Sequence, residues 1–163
     1  MKVRYQLYAL ATLSIAASPA AAQVVTEKQV SAAVAQEIAQ AAMMQCRNDG
    51  YHVAVTVVDR SGQIKAVLRD DGGNPHLLEA SQRKAYTSAM FRAPSGAFAE
   101  RVQQNSGSAA LTELNNVIAL RGGLPIKVGD EVIGAVGVGG APGGDKDEAC
   151  AQAGIQKTAD KLR

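Results

Sequence analysis

Residues Gly122–Cys150, GGLPIKVGDEVIGAVGVGGAPGGDKDEAC, decide the architecture. Pro125–Val128 and Val132–Val138 read as two short strands around a polar turn, Val128-Gly129-Asp130-Glu131, with glycine inside it. The second strand carries apolar residues or glycine at every position, the pattern of a central strand covered on both faces. Gly134 and Gly137 leave room for something packed closely above that strand. Gly139-Gly140-Ala141-Pro142-Gly143-Gly144 then breaks the chain, and Asp145, Asp147 and Glu148 open a last helix with acids at its positive end.

A strand, a glycine loop and a helix start also follow one another in phosphate cradles. The letters here do not fit one. A dinucleotide fingerprint beginning at Gly137 needs glycine where Pro142 stands, and a P-loop beginning at Gly139 needs lysine where Asp145 stands. Three carboxylates in the first turn would also repel a phosphate. The glycines are read as tight turns and close packing.

Outward toward the N-terminus, Met1–Ala22 combines Lys2 and Arg4, an apolar run from Leu7 to Ala17 and Ser18-Pro19-Ala20-Ala21-Ala22. These are the three parts of a secretory signal peptide, cleaved after Ala22, and the run is shorter than the roughly 20 apolar residues of a membrane span. Export to the periplasm or beyond the cell is expected. Loss of Lys2 and Arg4 takes Lys+Arg from 17 to 15 against 15 Asp+Glu, so the exported chain is formally neutral and gives no nucleic-acid signal. Residues 23–163 suit one domain. With no Trp and two Phe, its core has to come from small aliphatic side chains, which favours close helix-to-sheet contact.

Thr26-Glu27-Lys28-Gln29 fits a capping box for a first helix whose apolar stripe runs from Val30 to Asn48-Asp49-Gly50. Val53–Val58 and Ile64–Leu68 read as a hairpin whose turn is organised by Asp59. Asn74-Pro75-His76 opens a second long helix, with Asn as cap and Pro in the first helical position, ending at Arg92–Gly96. A less regular helical region spans Ala97–Leu114. The order is that of an α+β fold, helices packed against an antiparallel sheet.

Several blocks carry a family resemblance. GGLPI, VIGAVGVGG and DEACAQAG (Asp147–Gly154) resemble the closing signature of the GlcG/HbpS-like family, often called the haem-degrading domain. VVDRSGQIKAVLRDDG (Val57–Gly72) and PHLLEASQRKAYTSAMF (Pro75–Phe91) are similar to its earlier blocks. The resemblance runs in order over nearly the whole chain after the signal segment, marking 23–163 as a single such domain. It implies a profilin-like sandwich with the first and last helices side by side on the sheet, and assembly into homo-oligomers through flat faces. It associates the chain with haem binding, with glycolate utilisation, and with corrinoid adenosyltransferases.

Side-by-side terminal helices bear on the two cysteines, Cys46 and Cys150. An exported chain and an even count favour a disulfide between them, two buried thiols being the alternative. Neither has a His or a second Cys at metal-ligand spacing.

Chemistry has few candidates. His52, at the start of a strand, is read as a structural or surface residue. His76 lies in the first turn of its helix, where the dipole disfavours a positive ring and leaves an imidazole for a metal. The resemblance makes it a haem-iron ligand; the bland alternative is an exposed helix-start residue. Arg69, Arg83, Lys84, Tyr86 and Thr87 lie in the same blocks. Arg and Lys at a pocket rim suit haem propionates or another carboxylate. Lys84 also falls on the inward stripe, where it needs a partner such as Asp59 or Asp70. Tyr86 is a second-ranked iron ligand.

The sequence carries no Ser-His-Asp, HExxH or paired-carboxylate arrangement. It has no CxxCH either, which rules out ordinary covalent haem attachment. The expectation is an exported domain that holds haem non-covalently, as scavenger, buffer or sensing accessory. Its alternatives are an enzyme acting on haem or a small hydroxy-carboxylate, with Lys84 and His76 as acid–base groups, and a corrinoid-binding module.

Overall fold

Ala54–Asp59 is buried at every position and forms the strand β1 around which the sheet is laid. In this computed structural model, which describes residues 23–163, β1 pairs antiparallel on one side with β2 (Ile64–Arg69). On its other side β4 (Glu131–Gly139) pairs antiparallel, and β3 (Gly123–Val128) follows beyond it, giving the order β2-β1-β4-β3. The expected signal segment, Met1–Ala22, lies outside the described residues.

Alternation along the strands divides the core into two layers. Val53, Val55, Val57, Val136, Val138 and Ile126 face α1 (Ala32–Asn48) and α5 (Gly144–Lys157). Val58 and Ala135 face α2 (His76–Phe91), joined there by Ala85 and Ala89. The arrangement is the expected antiparallel sandwich with the terminal helices together on one face. Gly154 lets α5 meet α1, because a Cβ there would stand 2.6 Å from the Ile38 carbonyl oxygen. Cys46 and Cys150 form a disulfide across this contact, with Cα atoms 5.5 Å apart.

The other helix rests directly on glycine. A Cβ at Gly137 would collide with the Ser81 carbonyl and lie 2.5 Å from the Ala85 nitrogen, and one at its strand partner Gly123 would collide with the Lys84 carbonyl. Thr56 and Ser81 share a buried hydroxyl hydrogen bond of 2.8 Å across the same interface. Small residues on both surfaces bring α2 to main-chain contact with the sheet.

The first helix starts later than the capping box implies. Ser31 is its N-cap, its Oγ accepting from the Val34 N–H at 3.3 Å, while residues 23–30 are not helical. Val30 is fixed beforehand: its N–H donates to the Ile133 carbonyl at 2.9 Å and its buried side chain fills the space over Gly134. That contact with β4 holds the entering chain outside the helix and leaves Thr26 exposed, five residues ahead of the N-cap. At α2, Pro75 already has helical angles, φ −56° and ψ −37°, but the start is held by the Asn74 and Pro75 carbonyls, with no side-chain cap. Arg92 ends the helix in the left-handed conformation at φ 54°. The region after it resolves into α3 (Ser95–Gln104), α4 (Ser106–Ala109) and a 3-10 turn at Ala110–Glu113. Asp59 organises the β1–β2 turn, its Oδ1 accepting from the Ser61 and Gln63 N–H groups at 2.9 and 3.0 Å.

Candidate functional site

Where β4 leaves the sheet, the glycine turn into α5, the start of α2 and the segment before β3 enclose an open cleft of about 770 Å³. Gly140, at φ +135°, makes this possible: a Cβ there would lie 2.7 Å from the His52 carbonyl oxygen and 2.9 Å from Val53 Cα. Leu77, Ala80 and Leu120 give apolar wall, Gly139 and Gly140 give bare backbone, and His52, His76, Arg121, Asp145, Lys84 and Asp147 supply the polar groups.

Lys84 and Asp147 form a buried pair on this cleft. Lys84 Nζ donates to Asp147 Oδ2 at 2.7 Å and to the Val138 carbonyl at 3.0 Å, and Asp147 Oδ1 accepts from the Ala141 N–H at 3.0 Å. Burial pushes the Asp147 carboxyl above its ordinary pKa, with the Lys84 ammonium pulling the other way. The partners expected for Lys84, Asp59 and Asp70, are both engaged elsewhere. Asp59 holds its own turn, and Asp70, at the same end of the sheet as Lys84 but beyond β1, is taken by Arg47 and His52, while Lys84 reaches the end of β4, where α5 begins.

Asp70 anchors a second polar group. Its side chain is 1% exposed and accepts from Arg47 of α1 through both Nη2 and Nε, from the Asp71 N–H at 2.8 Å, and from His52 Nδ1 at 3.2 Å. The Arg47 guanidinium, helped by His52 and the Asp71 amide, lowers the Asp70 pKa to about 2. Asp70 is therefore ionised and can only accept, so the proton in the His52 contact lies on Nδ1. His52 has a side chain 59% exposed and is one of the residues lining the cleft.

The structure brings together two of the residues picked from sequence, His76, exposed on the rim at the start of α2, and Lys84. The others do not line the cleft. Arg69 donates to the Gly73 carbonyl at 2.5 Å and closes the neighbouring loop. Arg83 turns to Glu79 and the Val117 carbonyl, beside a separate hollow. Tyr86 covers Gly62 in the β1–β2 turn. Buried Thr87 donates to the Arg83 carbonyl at 2.8 Å and accepts from the Ile118 N–H at 2.9 Å. Arg83 and Tyr86 point away because helical spacing turns them from the face that carries Lys84, and Thr87, one turn on from Lys84, is taken up by the Arg83 carbonyl and the Ile118 backbone. Arg121, Asp145, Asp147 and His52 are the cleft residues that sequence reasoning passed over. For Asp145 and Asp147 the acids of the last helix were a visible signal, assigned there to the helix dipole alone.

Haem fits this donor set better than a bare ion does. Among the described residues no group of three or more His, Cys, Asp or Glu could hold a metal ion. A porphyrin brings four nitrogens of its own, so one imidazole completes the attachment. The cleft offers imidazoles, an apolar wall for the ring and a volume inside the usual range of about 300–1,000 Å³ for ligand sites. Arg121 offers a guanidinium to carboxylates, although Glu100 and Glu148 share it at 2.6 and 3.2 Å. Bound haem would contribute redox-active iron and its affinity for small ligands.

Comparison with known proteins agrees with this architecture. The chain is 32% identical to protein GlcG of Escherichia coli K12 over 113 residues, 69% of this chain and 83% of that protein. A crystal structure of a double mutant of HbpS from Streptomyces reticuli superposes with a TM-score of 0.79 at 34% identity, covering 87% of this chain and 97% of that one. PduOC, solved as a heme complex, shares the fold at a TM-score of 0.72 and 21% identity, over 78% of this chain and 94% of that one. The model of the family described as "Haem degrading protein HbpS-like" matches residues 30–156, and the chain belongs to that family.

Proposed function

We propose that this chain binds haem non-covalently in the cleft between α2 and the glycine turn, as an exported scavenger, buffer or sensing accessory. One observation carries the proposal: two imidazoles, His52 and His76, stand on the same open, partly apolar cleft. His76, the residue singled out by sequence, is one candidate ligand and Arg121 the candidate propionate contact. The family's description, the heme complex of a protein with this fold, and the signal-like Met1–Ala22 support the ligand and the export. No helix among the described residues is long and apolar enough to cross a membrane. Assembly into a homo-oligomer is part of the proposal and rests on the family resemblance.

Titration of the purified protein with hemin tests it. A saturable, stoichiometric shift of the Soret band is expected, and its absence would overturn haem binding. A small hydroxy-carboxylate is the second reading, favoured because Lys84 and His76 share one cleft. Such a ligand would have to compete with Asp147 for Lys84 Nζ. Thermal stabilisation by glycolate or lactate without a hemin shift would favour it.

A further inference from the structure

The two imidazoles of the cleft are not equivalent. His76 is exposed and makes no side-chain hydrogen bond among the described residues, so its ring is free to turn. His52 is held from behind: Nδ1 donates to Asp70, and Asp70 is fixed by Arg47 and by the Asp71 N–H. In a neutral ring with its proton on Nδ1, the lone pair lies on Nε2, which has no protein partner among the described residues. A carboxylate behind a histidine is the arrangement that orients metal-ligating imidazoles and raises their basicity. Asp70 suits that role because it is buried and its carboxylate is fixed by Nε and Nη2 of Arg47 and by the Asp71 N–H. The backbone of His52 is fixed too, since Gly140 packs against its carbonyl.

We infer that His52 is the iron-ligating residue of the cleft, coordinating through Nε2, with Asp70 and Arg47 as positioning residues. The inference rests on the haem reading and names the ligand within it. Lys84 and Asp147 belong to the buried ion pair and are left to hold the cleft together. His76 then contributes to the rim and does not anchor the iron.

The test compares wild type, His52→Ala, His76→Ala and Asp70→Asn by hemin titration and by resonance Raman spectroscopy of the ferrous form. Wild type is expected to show an iron–imidazole stretching band. His52→Ala, a change at an exposed side chain, should lose that band, weaken hemin binding by about 10- to 100-fold or more, and regain the band with added imidazole. Asp70→Asn should keep a band at lower frequency, a change that loss of packing alone would not produce. His76→Ala should leave the band in place. Persistence of the band in His52→Ala, or its loss in His76→Ala alone, would overturn the assignment while leaving haem binding intact. Saturable binding with no imidazole band in wild type would overturn it as well. Failure of wild type to bind hemin at all is a different result, and removes the haem reading itself.

Discussion

Lys84 Nζ and Asp147 Oδ2 lie 2.7 Å apart, both side chains almost fully buried, and tie α2 on one face of the sheet to the first turns of α5 on the other. The Val138 carbonyl and the Ala141 N–H complete the pair from β4 and the glycine turn. Four elements meet at this one contact, which forms the inner side of the cleft. A charge left alone there, with side chains only 7% and 3% exposed, would be poorly solvated.

Removing one partner should therefore be costly. Lys84→Met leaves a buried carboxylate, and a loss of about 3–5 kcal/mol is expected in urea unfolding. Asp147→Asn strands the ammonium but keeps an acceptor for Ala141. The double variant Lys84→Met/Asp147→Asn should lose less than the sum of the singles by about 1–3 kcal/mol. Strict additivity would show that the two charges are not coupled.

Strands, hairpin turns and the two long helices are legible in the sequence because each is set by local periodicity and turn chemistry. Gly137 shows the same for packing: a glycine inside an apolar strand marks the surface where α2 lies. The site is less legible because its contacts are made by docking. Lys84 and Asp147 are 63 positions apart, and the acid that pairs with the lysine looks like any helix-start carboxylate. Arg47 lies in α1, His52 just before β1 and Asp70 just after β2, and none carries a spacing that announces the other two. The false capping box at Thr26 has a related cause, since tertiary fixing of Val30 decides where α1 begins.

The glycine contact makes a paired prediction. Gly137→Ala places a methyl into the main chain of α2 and should destabilise the fold by about 1–3 kcal/mol or more. Gly139→Ala, two residues on along the same face, meets Ala80 Cβ at 3.4 Å and the Ser81 nitrogen at 3.5 Å, near-ordinary contact distances. It should unfold within about 1 kcal/mol of wild type. Equal thermal stability of the two variants would contradict the close approach of α2 at Gly137.

Asp70 predicts an acid limb. Its folded pKa, about 2, lies below the ordinary value of 3.8, so the ionised form is favoured by folding. That contribution is present above the ordinary value and is lost as pH falls from about 4 through about 2. Asp147 shifts the opposite way, so the clean measurement is a difference. Urea midpoints of wild type and Asp70→Asn should converge as the pH drops through this window. Because Arg47 is 45% exposed, added salt should narrow the gap at neutral pH. A gap unchanged down to pH 2 would show that Asp70 does not titrate as the contacts require.

The Cys46–Cys150 bridge closes a loop of 104 residues between α1 and α5, in a chain with no Trp and two Phe. In the chain-entropy account a loop of that length contributes about 4–5 kcal/mol, and native disulfides removed from small exported domains cost about 2–5 kcal/mol. Cys46→Ala/Cys150→Ala should fall in that range without loss of the sheet, since both positions are fully buried and alanine fits beside Ala42 and Ala151. Burial also shields the bridge from solvent reductant. Dithiothreitol should therefore lower the thermal midpoint of wild type only on the timescale of transient opening, and leave the double-alanine variant unchanged. Rapid loss of stability on adding reductant to the folded protein would show that α1 and α5 part readily, against the close contact at Gly154.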